Sequence, residues 1–156
     1  MKKTIYFSLA ILLLFNCKKE TIIDCNDTST IATRPNVLLI IADDMGLDAT
    51  PGYNVGTIKP TVPNIQNMIN TGVRYNNFWS YPTCTPTRSS ILTGRYGFRT
   101  NVLKVGDVLS TTETSLQKHI DDNTGNKYAH AVIGKWHLSS SSSHPTYMGV
   151  GYYAGL

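Results

Sequence analysis

The chain has 156 residues, 41% hydrophobic and 15% charged, which lies in the ordinary globular range with apolar material for one core and no more than one domain. Its formal net charge is +4, but Lys2 and Lys3 belong to a leader, and the segment from Cys17 onward carries 12 basic and 10 acidic residues, a net of +2. That balance, with no basic run, excludes an argument for nucleic acid, while a mild positive excess suits an anionic small substrate.

In chain order, Met1-Lys2-Lys3 is a basic start followed by an apolar stretch from Ile5 to Phe15, the pattern of an export signal over residues 1–16. The stretch is short of the about 20 apolar residues that span a bilayer. Leu14-Phe15-Asn16-Cys17 resembles a bacterial lipobox, with Asn16 where a small residue is usual. This implies lipid on Cys17, attachment to a membrane through it, and a location in the periplasm or at the outer membrane or cell surface of a bacterium. Residues 17–33, rich in Ser, Thr, Asp and Asn toward their end, read as a polar tether. Cys25 lies in it without an assignable role. Three cysteines at irregular spacing do not indicate a disulfide framework.

The folded part, 34–156, opens with Asn36 to Ala42, a β-branched apolar run without alternation, as expected of a strand buried on both faces of a parallel sheet. Met45 to Lys59 reads as loop. Pro63 starts a helix over Asn64–Ile69 that Gly72 closes, and Val73 to Trp79 is a second expected strand. A short helix over Arg88–Leu92 carries Pro86 in its first turn and stops at Gly94. A further helix over Thr112–Asp122, with Leu116 and Ile120 four apart, takes Thr111 or Thr112 as its cap and ends at Gly125. Tyr128 to Ile133 is the third expected strand, and Ser139 to Ser143 a mobile loop. Strands alternating with helices predict an α/β domain with a mainly parallel sheet.

Sites in such sheets collect beyond the carboxyl ends of strands, and two expected strands end on polar clusters. At the first, Asp43 and Asp44 can both reach one hard cation where the backbone turns, although adjacent carboxylates after a strand are more often a solvated turn or a helix cap. At the other, His137 beside Trp136 is by itself more often a packed side chain than a catalyst. Between them lies Cys84-Thr85-Pro86-Thr87-Arg88-Ser89-Ser90-Ile91-Leu92-Thr93-Gly94-Arg95. A helix N-terminus favours an anion and an arginine brings forked donors for one, so Cys84 is either an activated thiolate or a buried cysteine at a helix start.

The stretch Cys84 to Arg95 resembles the signature of type I, formylglycine-dependent sulfatases, a cysteine followed by x-Pro-Ser-Arg and a Leu-Thr-Gly-Arg ending, with Thr87 where serine is usual. Arg34-Pro35-Asn36 with Ala42-Asp43-Asp44-Met45-Gly46 resembles the family's opening segment, and Gly134-Lys135-Trp136-His137-Leu138 its next block. The resemblance implies an alkaline-phosphatase-like α/β fold and hydrolysis of small-molecule or carbohydrate sulfate esters. It implies that a formylglycine-generating maturation enzyme oxidises Cys84 and that the aldehyde hydrate is the nucleophile. By position, Asp43, Asp44 and the converted Cys84 become ligands of Ca2+, or of Mg2+. Arg88 supports the formylglycine, Lys135 contacts sulfate, and His137 interacts with the formylglycine hydroxyl or relays protons. Family members supply further ligands from a later segment, so the expectation is a chain that stops in mid-domain and is inactive alone. Two alternatives remain open, a phosphate or phosphonate ester hydrolase of the same fold and a non-catalytic surface lipoprotein that binds glycans or anions.

Overall fold

A computed structural model describes residues 34–155. The export signal, the lipobox with Cys17, and the tether with Cys25 lie outside the described residues. Contacts divide the chain into two units, Met1–Ile40 and Ile41–Leu156. In the first, residues 34–40 are irregular, with Leu38 84% exposed. Among the described residues the regular elements all lie in the second: α1 (Pro63–Thr71), α2 (Cys84–Thr93), α3 (Gly97–Thr100), α4 (Leu116–Thr124), β1 (Ala131–Ile133), α5 (His144–Tyr147) and β2 (Tyr152–Ala154).

The helix punctuation agrees with the sequence at most ends. Pro63 stands at the start of α1, where its missing N–H costs nothing. Gly94 and Gly125 close α2 and α4 in the left-handed conformation, each donating its N–H back into the last turn, to Ser90 and Asp121. Gly72 caps α1 with extended backbone instead. Helix α4 starts later than expected, because Ser115, rather than Thr111 or Thr112, accepts the Lys118 N–H. Ser115 is fully buried and donates to the Met148 carbonyl at 2.5 Å, so one hydroxyl both caps α4 and ties it to the residues after α5.

Two of the three expected strands are not formed. Residues 36–42 and 73–79 are irregular, and Val73 and Trp79 are 83% and 88% exposed. A strand exists only through a ladder partner, and among the described residues neither run finds one; apolar β-branched content measures fit to such a partner, not an intrinsic backbone preference. The third expectation holds in shortened form as β1, which pairs in parallel with β2 in the register Ala131↔Tyr152, Val132↔Tyr153, Ile133↔Ala154. Residues 139–143, expected as a mobile loop, form the bend and turn that lead into α5. The α/β character is therefore present as one parallel strand pair with helices among the described residues, not as the broad sheet expected.

The core comprises Leu92, Val102, Leu109, Trp136, Leu138, Met148 and Val150, with Val132 and Tyr153 packed against it. Each fully buried aliphatic side chain contributes about 1.5–3 kcal/mol over its exposed state. Trp136 meets Tyr153 edge to face with centroids 6.3 Å apart. Its indole N–H, a donor only, bonds to His144 Nδ1 at 3.0 Å, so Nδ1 is the unprotonated acceptor and Nε2–H donates to the Leu109 carbonyl at 2.8 Å. His144 is thereby fixed as the neutral Nε2–H tautomer in the core. At the exit of β1, Gly134 donates to the Ala154 carbonyl at 2.8 Å, and a Cβ on Gly155 would stand 1.8 Å from the Gly134 oxygen. Only glycine allows that crossing. Among the described residues no helix is long and apolar enough to cross a membrane.

Replacing His144 by leucine strands the indole N–H of Trp136 and the Leu109 carbonyl in the core. The expected loss is about 1–3 kcal/mol, read as a lower urea midpoint with unchanged m; an unaltered midpoint would remove His144 from the packing argument.

Candidate active site

The site is assembled by three local facts. Helix α2 begins at Cys84, with Thr83 as its extended N-cap residue, so Cys84 lies in the first turn where helix N–H groups are unpaired. The turn before it is locked by Thr87, whose hydroxyl donates to Thr83 O at 2.8 Å and accepts the Tyr81 N–H at 3.1 Å. Threonine at this position therefore performs with its hydroxyl the backbone bonding that a serine could perform. Thr85, Pro86, Ser89 and Leu92 form the buried face of α2, which leaves Cys84 and Arg88, four residues apart, neighbours on another face.

The second fact is the alternation after β1. Trp136 and Leu138 are buried, whereas Lys135 and His137 are not. His137 adopts φ 58°, and its Nδ1 lies 3.0 Å from Cys84 Sγ and 3.3 Å from Thr85 Oγ1. Arg88 donates from a terminal nitrogen to the Lys135 carbonyl at 2.5 Å. Its Nε is buried with no hydrogen-bond partner among the described residues, an uncommitted donor beside the cysteine-bearing turn.

Thirdly, Asp43 and Asp44 form a turn, with Asp44 at φ 54°. The Asp43 carboxylate is bound by the Lys135 ammonium, each side chain a little over one-third exposed. That hydrogen bond is the main reason the Asp43 carboxyl is held below its ordinary 3.8, with the charges of Lys135, Arg88 and His137 adding to it. Lys135 is raised above 10.5 by the same bond, with a smaller contribution from Cys84. All six residues expected at the site thus belong to one unit, and Cys84 with His137, Arg88 with Lys135, and Lys135 with Asp43 are in direct contact.

As for a metal, Asp43 and Asp44 bring hard oxygen donors suited in kind to calcium or magnesium. In number they are two of the about 6–8 oxygens calcium takes, and among the described residues no group of three or more His, Cys, Asp or Glu side chains converges. Sequence reasoning missed Thr85, whose hydroxyl shares His137 Nδ1 with the thiol, and the ion pair that Lys135 makes. Adjacency to Cys84 in the first helical turn was the available signal for Thr85; the ion pair joins residues 92 positions apart and had none.

Comparison with known proteins agrees with the geometry. The sulfatase family profile matches residues 35–154. Arylsulfatase G of Rattus norvegicus is 39% identical over 134 residues, which cover 81% of this chain and 24% of that protein. Steryl-sulfatase of Homo sapiens is 32% identical over 147 residues, with 82% and 24% covered, and arylsulfatase D of Homo sapiens 30% identical over 168 residues, with 96% and 27% covered. The chain spans about a quarter of the length of these relatives.

The Asp43–Lys135 pair fixes a pH dependence. Because the folded carboxyl lies below 3.8, its stabilising contribution is present above that value and is lost as pH falls through the lowered one; because the folded ammonium lies above 10.5, its contribution is present below 10.5 and is lost only above the raised value. In an NMR titration the Asp43 carboxyl should therefore titrate below 3.8 and move back toward it in Lys135→Met. An identical midpoint in the two proteins would mean that the pair is not formed in solution.

Proposed function

This chain belongs to the sulfatase family, and from that premise we propose that it carries the nucleophile-bearing part of a sulfuric ester hydrolase whose nucleophile arises from Cys84. The observation that carries the reading is the approach of His137 Nδ1 to Cys84 Sγ at 3.0 Å, at a helix start flanked by Arg88 and Lys135. A lone packed histidine or a merely buried cysteine would not set an imidazole nitrogen against the sulfur with an ammonium that the sulfur affects beside it and a guanidinium one helical turn on.

Conversion of Cys84 to formylglycine, by a maturation enzyme of the host, supplies a hydrated aldehyde: one hydroxyl for attack on sulfur and a second that allows sulfate to leave. The protein's own residues do the rest. His137 Nδ1 holds or accepts the proton of the group at position 84, oriented by its backbone and shared with Thr85 Oγ1. Arg88, with its uncommitted Nε, donates to the oxygens of that group. Lys135 supplies positive charge for the sulfate oxygens, and the unpaired N–H groups of the α2 first turn act in the same sense. Asp43 and Asp44 would hold the divalent cation, calcium or magnesium, which when bound would supply Lewis-acid polarisation of the sulfate ester.

The substrate class is a small-molecule sulfate ester, aryl or steroid, or a carbohydrate one. The apolar segment before Asn16-Cys17 supports export, with lipid on Cys17 holding the protein at a bacterial membrane surface.

In an intact hydrolase that carries this part, Cys84→Ala should lower hydrolysis of an aryl sulfate by about 10^3-fold or more, with Tm and far-UV dichroism retained. Mass spectrometry of the Cys84 peptide should find sulfur lost and an aldehyde gained. Faster turnover of an aryl phosphate than of the sulfate would replace the reading by a phosphoesterase one, and an unmodified thiol in active protein would sink the formylglycine nucleophile.

A further inference from the structure

The loop that follows Asp43 and Asp44 contains no helix or strand from Met45 to Val62, yet it has a centre. The Lys59 ammonium lies 3.1 Å from Leu47 O, 3.1 Å from Asp48 O, 2.9 Å from Thr50 O and 2.7 Å from Val55 O. An ammonium has three protons, so the acceptors outnumber the donors. Four carbonyl dipoles converging on one point are what replaces the hydration shell of a small cation in proteins.

The backbone is folded to make that convergence. Gly46 accepts from Ala49 N at 3.2 Å and from Thr50 Oγ1 at 2.8 Å, and Leu47 accepts from Thr50 N at 3.2 Å, a tight turn that directs consecutive carbonyls inward. Gly56 has φ +78°, and a Cβ there would lie 2.8 Å from the Asp48 carbonyl oxygen, so the return strand of the loop can pass its own turn only without a side chain.

We propose that this loop is built around a small-cation site of four main-chain carbonyls, occupied by the Lys59 ammonium as a tethered cation, and that Lys59 is thereby a positioning residue for the Asp43-Asp44 turn. The positioning half rests on the sulfatase reading; the cation site does not. The continuity is direct, because Leu47 and Asp48 carry two of the four carbonyls and stand three and four residues after Asp44. Arginine cannot replace the lysine, since a planar fork presents donors in one plane where the carbonyls surround a point.

The test compares Lys59→Met and Lys59→Arg with the wild type in potassium, ammonium and tetramethylammonium chloride at equal ionic strength. Thermal unfolding, proteolysis within 46–58 and calorimetric calcium binding are measured. In tetramethylammonium, Lys59→Met should lose about 5 °C or more in Tm and about 10-fold in calcium affinity, and the loop should become cleavable. Potassium or ammonium should restore all three, the wild type should not respond, and arginine should not substitute. Loss of stability that small cations do not relieve, or no loss at all, overturns the cation site. Recovery of Tm with calcium affinity equal to wild type throughout, or no calcium binding by the wild type, overturns the positioning half and leaves the cation site standing. Should Lys59→Met fail to fold in every salt, reductive methylation of the wild type decides: Lys59 should resist where exposed Lys104 and Lys127 react, and equal reaction overturns the cage.

Discussion

The hydrogen bond from the Trp136 indole to His144 holds the site together, although neither residue touches Cys84. Trp136 is 5% exposed and His144 4% exposed, and the imidazole passes the connection on to the Leu109 carbonyl. With Trp136 and Leu138 both held in the core, the residues beside and between them are left to the outer side. Lys135 and His137 are therefore delivered outward, one on each side of the anchor, to the helix that starts at Cys84. The Gly134–Gly155 crossing fixes the same segment from its other end. Core packing and site geometry are in this sense one constraint.

Lys135 is the junction of the site's charges. Lys135 binds Asp43 with its ammonium and receives Arg88 at its carbonyl, so one residue joins the carboxylate turn to the cysteine helix. The ion pair is partly exposed and by itself contributes little to stability. Its consequence is orientational: it draws the Asp43-Asp44 turn, the Gly134–Leu138 segment and the α2 face into contact. A divalent cation taken up by Asp43 and Asp44 would compete with that ammonium for the same carboxylate, leaving Lys135 free to face an anion.

The sequence made the local punctuation legible and the pairing illegible. Pro63, Gly94 and Gly125 mark element ends because a missing N–H or a left-handed cap is a property of one residue. The strands expected at 36–42 and 73–79 failed because a strand is a property of two segments, and no residue within either run reveals its partner. Strand β2 was missed for the same reason: nothing within Tyr152 to Ala154 marks a strand, and only the pairing with β1 makes it one. The six candidate site residues were legible as a family signature, and Cys84 and Arg88 also as a helical pair. Thr85 and Lys59 were not, since a threonine beside a cysteine and a lysine in a loop carry their meaning only in the contacts they close.

Backbone strain points to the same residues independently of any signature. Among the described residues four non-glycine residues have positive φ: Asp44, Asn101, Asn126 and His137. Asn101 caps α3 and Asn126 follows the cap of α4, where asparagine adopts the left-handed conformation readily. Asp44 and His137 close no helix. Each holds a conformation that costs of order 1–3 kcal/mol and persists only where its surroundings offset that cost, and each adjoins a residue fixed by another contact: Asp43 by Lys135, Trp136 by His144. The left-handed turn at His137 is what swings an imidazole onto the cysteine sulfur immediately after a buried tryptophan. At Asp44 it reverses the chain directly after the first carboxylate, so that the loop centred on Lys59 begins where the second one stands.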